Sequence, residues 1–474
     1  MPVDLTHLNI PLGPLDGRYR GIVSRLVNHL SEAALNRNRL IIEIEWLIHL
    51  TQVGAIPGAP VLSAEEQEYL RAIPEDFGAA EIAELGEIER ETRHDVKAVE
   101  YFLKKRLDSA PGVIGEHTVL PRVHEIVHIF CTSEDINNLA YAIGIRGALH
   151  EVWLPAAGDL ILEIEGIART YASQPMLART HGQPASPTTL GKEFAVVAMR
   201  LNRQFARLNQ TEILGKLNGA TGTYGAHVAA VPETDWEEAS RTFVEGLGFT
   251  WHPLTTQIEP HDWQADLFAD MAHFNRILHN LATDVWTYIS LGYFKQNLGA
   301  HGSTGSSTMP HKVNPIRFEN AEANLEVSCA LLDTLAATLV TSRLQRDLTD
   351  STMQRNIGSA FGHSLLAIDN VTRGLAGLDV DHAAMARDLD DNWEVLGEAI
   401  QSAMRAASAA GVEGLGDPYE RLKELTRGRR VTGDDLREFV HSLGLPANLE
   451  ERLAALTPAD YVGLAPALVR HING

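Results

Sequence analysis

The densest run of chemically useful residues lies between Gly299 and Pro315. Eight of the twelve residues from Gly299 to Pro310 are Gly, Ser or Thr. The segment Gly305-Ser306-Ser307-Thr308-Met309-Pro310-His311-Lys312-Val313-Asn314-Pro315 then adds a histidine and a lysine just before an apolar helical pattern begins. Hydroxyls and backbone donors delivered beside a lysine and a helix N-terminus form a place where developing negative charge is stabilised. The glycine content also suits a lid. Taken locally, the last third is a helix start, with Asn314 as N-cap, Pro315 at the first helical position and Val313 paired with Phe318 as a hydrophobic staple.

Five other segments carry reactive groups. His181, in Arg179-Thr180-His181-Gly182-Gln183-Pro184, reads as a turn residue between two helices, and an imidazole is the side chain best suited to proton transfer near neutral pH. Thr132-Ser133 followed by Glu134 and Asp135 reads as a helix N-cap with acids in the first turn, and Thr92 with Asp95 as a partial capping pattern. Such helix starts also bind anions. The run Arg343-Leu344-Gln345-Arg346-Asp347, with Ser351 and Arg355 beyond it, has the pattern of a solvated helix face. His124-Glu125-Ile126-Val127-His128 matches H-E-x-x-H, which on a helix presents two histidines to a zinc ion. No phosphate loop occurs, since Gly191-Lys192 and Gly215-Lys216 are followed by Glu193 and Leu217 rather than a hydroxyl residue.

These groups have to be positioned by long helices. Residues 316–357 contain no Gly or Pro, and Leu325, Leu332, Leu335 and Leu339 recur at helical spacing. Residues 264–291 repeat the pattern with Leu267, Met271, Phe274, Leu278, Leu281 and Val285. Further helices are predicted over about 189–214 and 134–154. Strand patterns are scarce, so the expected class is all-α, an extended bundle of long helices with a short hairpin near Gly219 to Val231. Breaks at 107–121 and near Gly374 to Asp379 divide the chain into an N-terminal helical domain, 1–121, a central long-helix bundle, 122–375, and a C-terminal helical domain, 376–474. Wide apolar faces on such helices predict an oligomer.

Composition removes several alternatives. At 474 residues the chain is long enough for more than one compact region. A net charge of -22 argues against a general nucleic-acid footprint and requires any anion site to gather its cations locally. No segment reads as a transmembrane span or an export signal, and two cysteines, Cys131 and Cys329, cannot form a disulfide framework. The expected location is cytoplasmic.

The pattern Ser-Ser-x-Met-Pro-x-Lys-x-Asn-Pro over Ser306 to Pro315 resembles the signature of the fumarase/aspartase superfamily of elimination enzymes. The Arg179 to Pro184 segment, Cys131-Thr132-Ser133-Glu134-Asp135-Ile136-Asn137-Asn138 and Thr92-Arg93-His94-Asp95-Val96-Lys97-Ala98-Val99-Glu100 narrow this resemblance to the adenylosuccinate lyase family of bacterial type, over nearly the whole chain. The resemblance implies β-elimination of fumarate from adenylosuccinate and from the succinylated imidazole-carboxamide ribotide SAICAR, in purine nucleotide synthesis, with no cofactor and no metal. It implies Ser306 as base, His181 as acid and Glu319 as the residue orienting the acid. Lys312, Asn314 and loop amides would hold the carboxylate as its carbanion forms. Substrate binding is implied for Arg18, Tyr19, Arg93, His94, Asp95, Thr132, Ser133, Gln257, Ser307, Val313, Asn320, Thr352, Met353 and Gln354. Arg346, Ser351 and Arg355 would supply cations and a hydroxyl to the phosphate and its surroundings. A homotetramer with sites shared between subunits follows from the same resemblance.

The H-E-x-x-H match falls inside a region this resemblance accounts for, which favours chance over zinc. One departure stands out: relatives carry Gly-Glu-x-Gly-Ser-Ser where this chain reads Gly302-Ser303-Thr304-Gly305-Ser306-Ser307, a change that bears on loop conformation and closing. Two rivals stay open at this point, another superfamily enzyme such as argininosuccinate lyase and a non-enzymatic structural relative.

Overall fold

The computed structural model describes residues 10–297, 313–426 and 431–473. Ser306, Ser307, Lys312 and the Ser303-Thr304 stretch lie outside them. Helices dominate, and the strands among the described residues form three two-stranded pieces, so the all-α expectation holds.

The long helices follow the apolar periodicity. We label them α1 (Glu32–Gln52), α2 (Asp95–Ser109), α3 (Ser133–Gly147), α4 (Leu154–Thr170), α5 (Leu190–Asn209), α6 (Asp262–Ser290), α7 (Ile316–Leu339), α8 (Thr349–Gln354) and α9 (Ile357–Leu375). In α6, Leu267, Met271, Phe274, Leu278, Leu281 and Val285 are all buried, as their spacing requires. The helix expected over 134–154 runs further: a π-helical turn over Ala148–Trp153 joins α3 to α4. Pro155 accounts for the irregularity, because it has no N–H to give the carbonyl of Glu151. Arg25 Nη2 donates to that carbonyl instead, at 2.6 Å.

The breaker-free stretch 316–357 holds α7 and the short α8 with a link between them: α7 ends at Leu339, and the chain from 340 to 348 is irregular, with Leu344 at φ 54°. Periodicity could not reveal this break, since no glycine or proline marks it. The hairpin expected at 219–231 is absent there, where turns lead into a short helix, Gly225–Ala230. The hairpin occurs instead as β1 (Pro175–Thr180) and β2 (Gln183–Thr189), antiparallel with Thr180 opposite Gln183.

The chain groups into two discontinuous compact units. The first comprises residues 1–157, 204–276 and 323–369. Its helices are laced by a buried polar chain: Trp153 Nε1 donates to Ser364 Oγ at 2.9 Å, Ser364 to Asn275 at 2.7 Å, Asn275 to Ser328 at 3.0 Å and Ser328 to the Ala360 carbonyl at 2.7 Å. A buried chain with every link made fixes helix rotation in a way an apolar seam does not. The second unit comprises 158–203, 277–322 and 370–474. It holds the hairpin, a short antiparallel pair of β3 (Phe294–Gln296) with β4 (Leu378–Val380), and the C-terminal helices, including α10 (His382–Asp390) and α11 (Gly397–Ala409). The C-terminal helices close on Leu396, Ile400, Met404, Leu436 and Val440. No helix among the described residues is long and apolar enough to cross a membrane.

Candidate active site

In the first unit, four of the sequence segments singled out above converge on the N-terminus of α3. Thr132 is its N-cap, and the Asp135 carboxylate accepts the Thr132 N–H at 2.8 Å, as the capping pattern predicts. The residue before it, Glu134, points elsewhere. Its buried carboxylate takes Arg346 Nη2 at 2.9 Å and Asn137 Nδ2 at 2.7 Å. Arg346 comes from the irregular 340–348 segment, and the same Nη2 also donates to Ser351 Oγ at 3.0 Å, while Nη1 donates to Gln257 Oε1 at 3.4 Å. The other face of Asn137 accepts Arg39 Nε at 2.9 Å, and Arg39 pairs with Asp95 at 2.7 Å. Asp95 in turn takes Arg355 Nη2 at 3.4 Å. An unbroken chain of charges and hydrogen bonds therefore runs from Arg355 through Asp95, Arg39, Asn137, Glu134 and Arg346 to Gln257.

The electrostatics of this chain are uneven. Burial pushes the Glu134 carboxyl up, and the Arg346 charge offsets this only partly. Burial acts in the same direction on Asp95, but Arg39, the Val96 N–H and Arg355 outweigh it and hold Asp95 below its ordinary value. Asp350 is also held low: burial opposes this, while His261, the Ser351 N–H and Arg346 prevail. His261 is itself buried, its backbone N–H donating to Glu259 Oε2 at 2.8 Å. Gln354 reaches the same cluster through Gln264, at 3.1 Å. Asp350, His261 and Arg39 escaped the sequence reading, and Glu134 was read only as a first-turn acid, because each resembles an ordinary polar residue until its distant partner is known.

The remaining first-unit candidates sit around this chain. Arg93 occupies the left-handed C-cap of the preceding helix at φ 52° and is exposed beside His94. His94, rather than Thr92, caps α2, its Nδ1 accepting the Lys97 N–H at 3.2 Å. The Thr92 hydroxyl donates to the His94 carbonyl at 3.1 Å instead. Arg18 lies over the Tyr19 ring at 5.9 Å. The neighbouring Leu15 and Asp16 border a cleft shared with Glu32 and Arg355. Thr352 is exposed and Met353 half-buried on α8.

The turn leading into Thr132 is under local strain and is tied down on both sides. His128 and Phe130 adopt left-handed backbone, φ 60° and 64°, which non-glycine residues rarely do. His128 Nδ1 lies 2.6 Å from the buried Glu43 carboxylate. Phe130 packs on His227 at 5.0 Å and Trp236 at 5.3 Å. This geometry also corrects the helical expectation for His124 to His128: residues Leu120–Ile126 form a 3-10 helix, and His124 turns to Asp108 at 2.8 Å while His128 turns to Glu43. The two imidazoles serve different carboxylates.

Two pH effects follow with opposite signs. Burial lowers the His128 pKa, but the charge and hydrogen bond of Glu43 lift it above 6.5 overall. Its stabilisation is complete below 6.5 and is lost as pH rises through the raised value. The stability deficit of His128→Asn should therefore shrink with increasing pH in that range, as read from melting temperatures. For His227, burial dominates and depresses the pKa from 6.5 to about 4; neither ring nitrogen finds a hydrogen-bond partner among the described residues. The unfolded chain takes this proton first, so stability falls as pH drops from 6.5 towards 4, and His227→Leu should flatten that part of the melting profile.

The second unit holds the other candidates. His181 is exposed at the tip of the β1–β2 hairpin rather than between two helices, with φ 54° followed by Gly182 at φ 75°, the two-residue turn that matches strand twist. Gln296 at the end of β3 donates its side-chain amide to the Val313 carbonyl at 2.9 Å. The start of α7 is one residue later than expected: the Pro315 carbonyl accepts the N–H groups of Phe318 and Glu319, so Pro315 rather than Asn314 is the N-cap. Glu319 accepts the Trp286 indole N–H at 3.1 Å, and Asn320 accepts Asn370 Nδ2 at 3.0 Å.

Comparison with known proteins agrees with this picture. The family model described as "Lyase" matches residues 17–328, and the one described as "Adenylosuccinate lyase C-terminal" matches 342–462. An adenylosuccinate lyase of Escherichia coli K12 is 49% identical over 98% of this chain and 98% of its own. The Vibrio cholerae protein of the same name is 48% identical, covering 96% and 97%. Among solved structures, a fumarate lyase from Mesorhizobium sp. BNC1 superposes with TM-score 0.74 at 18% identity, over 95% of this chain and 97% of its own. The 3-carboxy-cis,cis-muconate lactonizing enzyme of Pseudomonas putida gives 0.71 at 21%, over 94% and 95%, and both of these likenesses concern the fold. With two family regions in tandem and near-half identity along the whole length, this chain belongs to the adenylosuccinate lyase family of the fumarase/aspartase superfamily.

Proposed function

We propose that the chain is a carbon–nitrogen lyase that eliminates fumarate from adenylosuccinate, leaving AMP, and from SAICAR, leaving AICAR. The observation that carries this reading is the continuous first-unit chain from Arg355 to Gln257. It organises cations and hydrogen-bonding groups from four distant segments at a helix N-terminus, which a strongly acidic protein needs if it is to bind a phosphorylated dicarboxylate.

Cleavage needs two proton transfers. A base removes a weakly acidic proton beside one substrate carboxylate, and an acid protonates the departing purine nitrogen. Ser306 is the proposed base, activated by surrounding donors as water leaves, and His181 the proposed acid. Lys312, Asn314 and neighbouring amides hold the carboxylate as carbanion charge spreads into it. Glu319, hydrogen-bonded to Trp286 in the single chain, is assigned to orienting the acid in the assembled site. The proposed assembly is a homotetramer with shared sites, and the proposed location is the cytoplasm. Neither proton transfer requires a redox group or a metal.

The test is direct. Purified protein incubated with each substrate should release fumarate in equal amount to AMP or AICAR, followed by NMR. Release from neither substrate by the folded protein rejects the reading. Activity should also survive chelation, and one tightly held zinc per chain that disappears together with activity in His124→Ala would restore the metal alternative.

A further inference from the structure

The hairpin that carries His181 is tied to the C-terminal helices from both of its strands. On β1, Arg179 Nη2 lies 2.5 Å from Asp388 Oδ2 on α10. The same carboxylate oxygen accepts the hydroxyl of Tyr293, the residue before β3. On β2, Ser186 Oγ donates to Glu398 Oε2 on α11, and the Tyr461 hydroxyl donates to that oxygen at 3.2 Å. Each strand is thus held by one carboxylate that a tyrosine fixes from the other side. Asp388 is anchored further by Asn392, whose side-chain amide donates to its carbonyl at 2.7 Å.

The hairpin needs these ties. It is only two strands wide, and an isolated two-stranded hairpin is marginal in water. The register shifts between Met176 and Ala178, and the turn places a histidine in the left-handed conformation that Gly, Asn and Asp adopt more readily. Arg179 and Asp388 are both about three-quarters covered, at 28% and 24% side-chain exposure, so their pairing is screened less than a surface ion pair. Arg179 stands two residues before His181 and opposite Pro184 in the hairpin, so the tie at Arg179 acts next to the turn that carries the imidazole.

We infer that Asp388 and Glu398 are positioning residues for the proposed proton donor, setting where the His181 imidazole stands while touching no substrate themselves. The inference rests on the reading of His181 as the acid. It assigns the C-terminal helices an indirect part in catalysis, as the frame that holds an exposed turn histidine in one place.

The test uses the full-length chain with Asp388→Asn, Glu398→Gln, Arg179→Gln and the double variant Arg179→Gln/Asp388→Asn. A misplacement of about 1 Å costs on the order of 100-fold, so Asp388→Asn should lose roughly ten- to a hundred-fold in kcat. Its KM should stay within about threefold, because binding uses other groups. Amide exchange at Thr180 to Gln183 should quicken, and the double variant should be no worse than the poorer single one, since both remove the same tie. Asp388→Glu, which keeps the charge, should recover part of the rate. Unchanged kcat in Asp388→Asn, with wild type active and His181→Ala inactive, overturns the inference. So does a fall in kcat and melting temperature together with a marked rise in KM, which would mark a purely structural role. A wild-type chain that releases no fumarate removes the reading beneath it, and this inference with it.

Discussion

Ser306→Ala and His181→Ala are each expected to lower kcat by about two to four orders of magnitude, the usual worth of a positioned acid or base, while substrate still binds. Binding should persist because the cation chain that gathers Arg346, Arg355 and Gln257 includes neither residue. The informative experiment mixes the two inactive proteins under conditions of verified subunit exchange. If each site draws its acid and its base from different subunits, random reassembly creates some sites with both intact residues, and activity returns in mixtures although neither parent has any. No recovery after confirmed exchange rejects shared sites. Near-normal turnover in either single variant rejects its assigned role.

The other large effect concerns Lys216 and Asp135, a fully buried ion pair at 2.8 Å with both side chains at 0% exposure. Breaking a buried pair by deleting one partner generally costs about 3–5 kcal/mol, because the survivor is left charged and uncompensated. The two deletions should differ. After Lys216→Met, Asp135 still accepts the N–H groups of Thr132, Asn218 and Gly219, so part of its charge remains solvated. After Asp135→Ala, Lys216 keeps only the Gly219 carbonyl at 3.4 Å, and the turn at Thr132 loses its cap. Asp135→Ala should therefore melt at the lower temperature, compared at one protein concentration, and Asp135→Asn/Lys216→Met should be less destabilised than the sum of its parts. Equal, small effects would mean that water reaches the pair. Because Asp135 also closes the capping interaction at Thr132, variants that still fold should show a raised KM.

Some of this was legible before any coordinates. The breaker-free runs with apolar residues at every third or fourth position became α6 and α7, since that periodicity reports which face is buried. Thr132 to Asp135 read correctly as a helix start because capping involves residues three apart. Even so, local rules misjudged Asn314 by one residue, and Thr92 was displaced by His94 because an imidazole nitrogen accepts as well as a hydroxyl does. The hairpin around His181 carried no strand signature at all. Gln183-Pro184-Ala185-Ser186-Pro187 alternates nothing apolar, and what holds the strands is Asp388 and Glu398, some two hundred residues away.

Sequence by itself determined the family, the reaction class and the long helices, because signature strings and apolar periodicity are local in the chain. Only tertiary structure decided that Arg346, Asp95 and Gln257 share one hydrogen-bonded chain, that Lys216 is occupied in neutralising Asp135, and that His181 rides on a braced hairpin. A charged residue looks the same in sequence whether it faces water, caps a helix or meets a buried partner. Its role is set by desolvation and by partners far along the chain, and both come into existence only when the chain folds.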